Sequence, residues 1–136
     1  MRALVIVAAL VLLGGCAPAT LDGVRNLGPE SAYTFTAPEN YQAVYRTVLK
    51  QSRKCHESGL ITAQIVVHGD LYQDIKAGTV SVELHGGLGV DVYQVIDIKA
   101  VDDDSSRVLA HYSVGSPSQK GDLLKRWVLD GEAACK

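Results

Sequence analysis

Between residues 61 and 114 the apolar residues recur at every second position, and that period limits the folds open to the chain. Ile61, Ala63, Ile65 and Val67 alternate with Thr62, Gln64, Val66 and His68; Val80, Val82 and Leu84 alternate with Ser81, Glu83 and His85. Val90, Val92, Ile96 and Ile98 alternate with Asp91, Tyr93, Val95 and Asp97, and Val108, Ala110, Tyr112 and Val114 with Leu109, His111 and Ser113. Successive side chains of a strand point to opposite faces, so this pattern describes half-buried strands. Gly86-Gly87 and Asp103-Asp104-Ser105-Ser106 are turn-like. The stretch Asp70 to Gly78 reads as a short edge strand and a loop, and Tyr33–Phe35 allows one more short strand.

Helical signals flank the strands. Thr36-Ala37-Pro38-Glu39 has capping-box spacing, and Tyr41, Val44, Tyr45, Val48, Leu49 and Cys55 then fall on one helical face. Ser58-Gly59 is read as the end of that helix. Ser116-Pro117-Ser118-Gln119 is a second capping box, followed by an apolar stripe of Leu124, Trp127, Val128, Gly131 and Cys135. Gly121, in the first turns, is expected to weaken this helix by up to about 1 kcal/mol relative to alanine. The order (β)-α-β-β-β-β-α predicts an α+β two-layer sandwich: an antiparallel sheet of four to five strands with both helices on one face, similar in outline to helix-grip folds.

Strand register then assigns faces, because a slip of one residue exchanges them. Ile61, Ala63, Ile65, Val67, Val80, Val82, Leu84, Val90, Val92, Ile96 and Ile98 are expected beneath the helices. The opposite face is expected to carry Thr62, Gln64, His68, Ser81, Glu83, His85, Asp91, Tyr93, Asp97 and Lys99. Of these, Tyr93, His68, His85, Glu83, Asp91 and Asp97 form a candidate interaction surface, weighed against plain solvated sheet.

The N-terminus is of a different kind. Residues 1–15 hold one charge, Arg2, and Ala3 to Leu13 is an unbroken run of 11 apolar residues. A spanning helix needs about 20; a run of roughly 7–15 after a positive end is the pattern of a signal peptide. Leu13-Gly14-Gly15-Cys16 resembles the lipobox of bacterial lipoproteins, which implies a lipidated Cys16 at the mature N-terminus. Several acyl chains on one residue make a stable anchor. Ala17 in place of Asp implies, by the same resemblance, the outer membrane, facing the periplasm. Residues 16–32 have Pro, Gly and no apolar period, and are expected to be a flexible tether with a reach on the order of 20 Å; residues 33–136 are expected to form the single domain.

Export leaves two cysteines in an oxidising compartment, Cys55 and Cys135, each placed at a helix end on an apolar stripe. A disulfide between them is expected to close a loop of about 80 residues, for which the chain-entropy model gives roughly 4 kcal/mol. A catalytic thiol is the weaker reading, because the negative end of a helix dipole opposes thiolate formation.

Tyr41-Gln42-Ala43-Val44-Tyr45-Arg46 through Cys55, then Gly69-Asp70-Leu71-Tyr72, and Trp127 before Cys135, resemble a family of small uncharacterised proteobacterial lipoproteins. That resemblance implies envelope localisation and the same disulfide, and no catalytic residues.

Motifs for chemistry are sparse. His85-Gly86-Gly87-Leu88-Gly89 has no Gly-x-Ser-x-Gly elbow to accompany it, and a strand follows where a phosphate loop needs a helix. Asp102-Asp103-Asp104-Ser105-Ser106 lacks the glycine and distal glutamate of a calcium loop. The four histidines have no His-x-x-x-His spacing, so neither a metal nor a cofactor is expected. Arg46, Lys50, Arg53 and Lys54 read as the solvated side of an amphipathic helix. With 15 acidic against 13 basic residues, nucleic acid is not an expected partner. The expectation is a membrane-anchored, non-enzymatic binding or scaffolding domain with an unknown envelope protein partner. The alternatives are an apolar small ligand held between helices and sheet, or an envelope hydrolase using a serine beside His85 or His111.

Overall fold

The computed structural model describes residues 17–136; the expected signal peptide and Cys16 lie outside them. The fold is α+β. One open antiparallel sheet has six strands, β1 (Ala32–Ala37), β2 (Ser58–Leu60), β3 (Ala63–Tyr72), β4 (Ala77–Gly86), β5 (Gly89–Ala100) and β6 (Ser106–Tyr112), in the order β1-β6-β5-β4-β3-β2. Three helices accompany it: α1 (Leu21–Arg25), α2 (Tyr41–His56) and α3 (Pro117–Leu129).

Helices α2 and α3 cover one face. Val44, Val48, Leu124, Trp127 and Val128 pack there against Val67, Val80, Val82, Ile96, Ile98, Val108 and Ala110. Glycines let the aromatic rings come close: a Cβ on Gly78 would sit 2.6 Å from Tyr45 Cδ2, and one on Gly69 would sit 2.6 Å from its hydroxyl.

Several boundaries differ from expectation. The N-cap of α2 is Asn40, whose side chain accepts from Gln42 N; Thr36 instead pairs with Arg107 in the sheet, so strand pairing overrides the capping box. Ser58-Gly59 opens strand β2, and Asp70–Gly78 is the end of β3, a turn and the start of β4. Ile61 lies in the β2–β3 turn, fully exposed. Ser116 does cap α3, but the helix stops at Leu129. Gly131, at φ 65°, then turns the chain so that Glu132 N donates to Arg126 O, and Cys135 follows outside the helix. The expected disulfide is present: Cys55 and Cys135 are bonded, with Cα atoms 5.3 Å apart.

The largest revision concerns the tether. Leu21 onward belongs to the fold. Thr20 caps α1, and Val24, fully buried, packs with Val92 and Val95 on the face away from α2 and α3. The Arg25 guanidinium grips Asp97 through two parallel hydrogen bonds, Nε to Oδ2 at 2.8 Å and Nη2 to Oδ1 at 2.7 Å, while Thr79 Oγ1 donates to the same carboxylate. This bidentate geometry overcomes the turn-like composition that suggested disorder. Arg25→Ala is expected to lower unfolding free energy by about 1–2 kcal/mol, the lower part of the range for charged hydrogen bonds because both partners stay partly in water. Urea denaturation measures it, and an unchanged midpoint would mean that the Arg25–Asp97 pair contributes nothing to stability.

A bulge between β4 and β5 splits the expected faces. Val82 pairs with Gln94 but Glu83 pairs with Val92, leaving Tyr93 without a partner. Beyond the bulge, Val90 and Val92 turn to the α1 face, while Asp91, opposite Leu84, moves to the face that α2 and α3 cover. The expected positions of Val90, Val92 and Asp91 are therefore reversed. Two odd residues mark the place in the sequence: Gln94 among the apolar positions and Val95 among the polar ones, both buried.

Candidate functional site

The face away from α2 and α3 is only partly covered by α1, and its uncovered part carries the most concentrated chemistry among the described residues. Glu83 and His85 are two apart on β4 and share a face; His68 on β3 stands opposite Ser81 and diagonal to Glu83. The ligand atoms of His68, Glu83 and His85 lie within 4.8 Å of one another.

The carboxylate of Glu83 is buried at the centre. Ser81 Oγ donates to its Oε1 at 2.6 Å. His85 Nε2 donates to Oε2 at 2.9 Å, and His68 Nε2 lies 3.6 Å from the same oxygen. The two imidazoles are 5.6 Å apart, centroid to centroid. Burial pushes the Glu83 pKa up, but hydrogen bonds from Ser81 and His85, with the charges of both histidines, outweigh it and hold the carboxyl below its ordinary value. Glu83 is thus an anion at neutral pH, with one oxygen tied to a hydroxyl and the other aimed at two imidazole nitrogens. Burial of Glu83 and the half-exposure of His68 leave the cluster open to solvent on one side only.

The six residues of the candidate surface do not act together. His68, Glu83 and His85 converge. Asp97 is engaged by Arg25 and Thr79, Asp91 has moved to the other face, and Tyr93 sits in the bulge, where its carbonyl accepts from Ser113 N. Sequence reasoning placed His68, Glu83 and His85 on one face but missed their convergence, because no short spacing links residue 68 to residues 83 and 85; only the β3–β4 register does.

The geometry bears on the alternatives. Ser81, Glu83 and His85 form a chain with the carboxylate in the middle, so the hydroxyl donates to the acid rather than to the imidazole; a hydrolytic triad needs the imidazole between them. The space between α3 and the sheet, lined by His56, Gln94, Tyr112, Lys120 and Trp127, comes to about 20 Å³. That is room for a water molecule, against roughly 300 Å³ for a small-ligand pocket. No family model matches the chain, and no curated protein matches it either.

Proposed function

We propose that this protein is a lipid-anchored, non-catalytic lipoprotein of the cell envelope, attached to the outer membrane through Cys16, whose domain sits directly against the bilayer and presents the open sheet face for binding. The observation that carries the reading is where the chain leaves the fold. Pro18 O accepts from Val92 N at 2.8 Å, and α1 then runs along β5 toward Asp97. Traced backwards, the chain heads for the sheet end formed by the β2–β3 and β4–β5 turns. Cys16 is two residues from Pro18, a reach of at most about 7 Å.

That same sheet end is apolar and bare. Leu60, Ile61 and Leu88 are exposed by 77%, 99% and 108%, and the pairing of Ala63 with Gly86 sets their two turns side by side. Each such side chain gains about 1.5–3 kcal/mol on full burial in an apolar medium. An anchored domain with a short leash would bury them in the acyl boundary. The lipobox resemblance and the disulfide both suit an exported protein.

Cys16→Ser in the full chain is expected to leave an unacylated precursor, larger than the mature protein on a denaturing gel; normal processing and membrane recovery would overturn the anchor. In the lipidated protein, Leu88→Trp is expected to add a blue-shifted fluorescence component that bilayers with brominated acyl chains quench. An unquenched tryptophan would overturn the seating of the domain while leaving the anchor in place.

A further inference from the structure

We infer that His68, Glu83 and His85 form a binding site for one divalent transition-metal ion, held by the two Nε2 nitrogens and Glu83 Oε2. Three observations support it. The first is donor chemistry: two imidazoles and a carboxylate suit zinc, copper, nickel or iron in their divalent states. The second is spacing. A tetrahedral ion with bonds of about 2.0–2.1 Å keeps its ligands about 3.3 Å apart, and the nitrogens stand 2.9 and 3.6 Å from the carboxylate oxygen. All three ligand atoms already lie within 4.8 Å of one another, so closing the site needs rotation of the imidazoles and no change of strand register.

The third observation is how the carboxylate is held. Ser81, itself buried, fixes Oε1 and so turns Oε2 toward the histidines. Metal sites use such an outer partner to orient a ligand. The three ligands stand on two neighbouring strands, β3 and β4, whose continuous pairing from Ala63 to Tyr72 holds their backbones in fixed register. The ion takes the place of the proton that links His85 Nε2 to Glu83 Oε2; that proton moves to the other ring nitrogen or, from a charged imidazole, to solvent. Because His68 is half-exposed, the remaining coordination positions face water, so the ion stays accessible to a further ligand.

This inference does not rest on membrane attachment. The test uses the full chain in detergent, without a histidine tag and stripped by a chelator, with Zn²⁺ as the probe. Titration calorimetry is expected to give one Zn²⁺ per chain, and Zn²⁺ is expected to raise the melting temperature, as any ligand of the native state does. Ser81→Ala is expected to weaken binding by roughly 10–100-fold. His68→Gln and His85→Gln are expected to weaken it further and to abolish the thermal shift, whereas His56→Gln leaves both unchanged. His68 is half-exposed, so its variant keeps the fold and the comparison stays interpretable. Absence of Zn²⁺ binding to the wild-type chain, or binding that survives both His68→Gln and His85→Gln, would overturn the site. Zn²⁺ binding by the Cys16→Ser protein would separate this site from the anchoring reading.

Discussion

Replacement of both Cys55 and Cys135 by serine is expected to lower the unfolding free energy by roughly 4 kcal/mol. The bond spans a sequence separation of 80 residues and ties the end of α2 to the segment after α3. Without it the unfolded chain regains the freedom of a loop that includes five of the six strands, all but β1. In the folded state little need change, because the same segment is also held by Lys54 Nζ donating to Ala133 O at 2.7 Å and Trp127 Nε1 donating to Ala134 O at 2.6 Å. The loss therefore belongs mainly to the unfolded ensemble. With a urea m-value of about 1–2 kcal/mol/M, the midpoint is expected to fall by roughly 2–4 M. Reductant is expected to produce the same shift in the wild-type protein and none in the serine variant. Equal midpoints for oxidised and reduced protein would contradict the prediction.

Gly121→Ala is expected to destabilise the domain by about 1–3 kcal/mol, opposite in sign to its helix propensity. Intrinsic preference alone favours alanine inside a helix by up to about 1 kcal/mol. The Tyr33 ring, however, packs against the Gly121 backbone, and an alanine Cβ would overlap its Cγ, Cδ1 and Cδ2 atoms. Displacing the ring breaks the hydrogen bond from Tyr33 Oη to Asp122 Oδ1, 2.7 Å, and the edge contact with Phe35. The sign makes a clean test. In a Tyr33→Ala background the same Gly121→Ala change is expected to be neutral or stabilising, a coupling that a double-mutant cycle in urea measures. Equal destabilisation in both backgrounds would remove Tyr33 as the cause.

The metal cluster shows how sequence and structure divide the information. Glu83 and His85 are legible as neighbours on one strand face, since residues i and i+2 always share a face. His68 joins them only because β3 and β4 pair with His68 opposite Ser81. A shift of two residues in that pairing would keep every side chain on its face and still separate the three ligands. The motif spacings that mark familiar metal sites arise within one helix or one loop; a site assembled across two strands has no such signature.

Local chemistry, then, was determined by the sequence itself: the greater part of β3 to β6 by period two, α2 and α3 by their apolar stripes, the cap of α3 by Ser116, and the partnership of Cys55 and Cys135 by their number and placement. These depend on interactions between residues near in sequence, or on two cysteines with few alternatives. Three features were decided only by tertiary structure. Residues 21–25 belong to the fold and not to a tether because Asp97, 72 positions from Arg25, and the Val92–Val95 surface that buries Val24 hold them on the sheet. The β5 faces exchanged at Tyr93 because the register against β4 shifts between Val82 and Glu83. Gly121 was placed by the ring of Tyr33, 88 residues earlier, and not by helix propensity. In each case the deciding energy is a contact between distant segments, and the short-range preferences that a sequence displays are too small, at about 1 kcal/mol or less per residue, to oppose it.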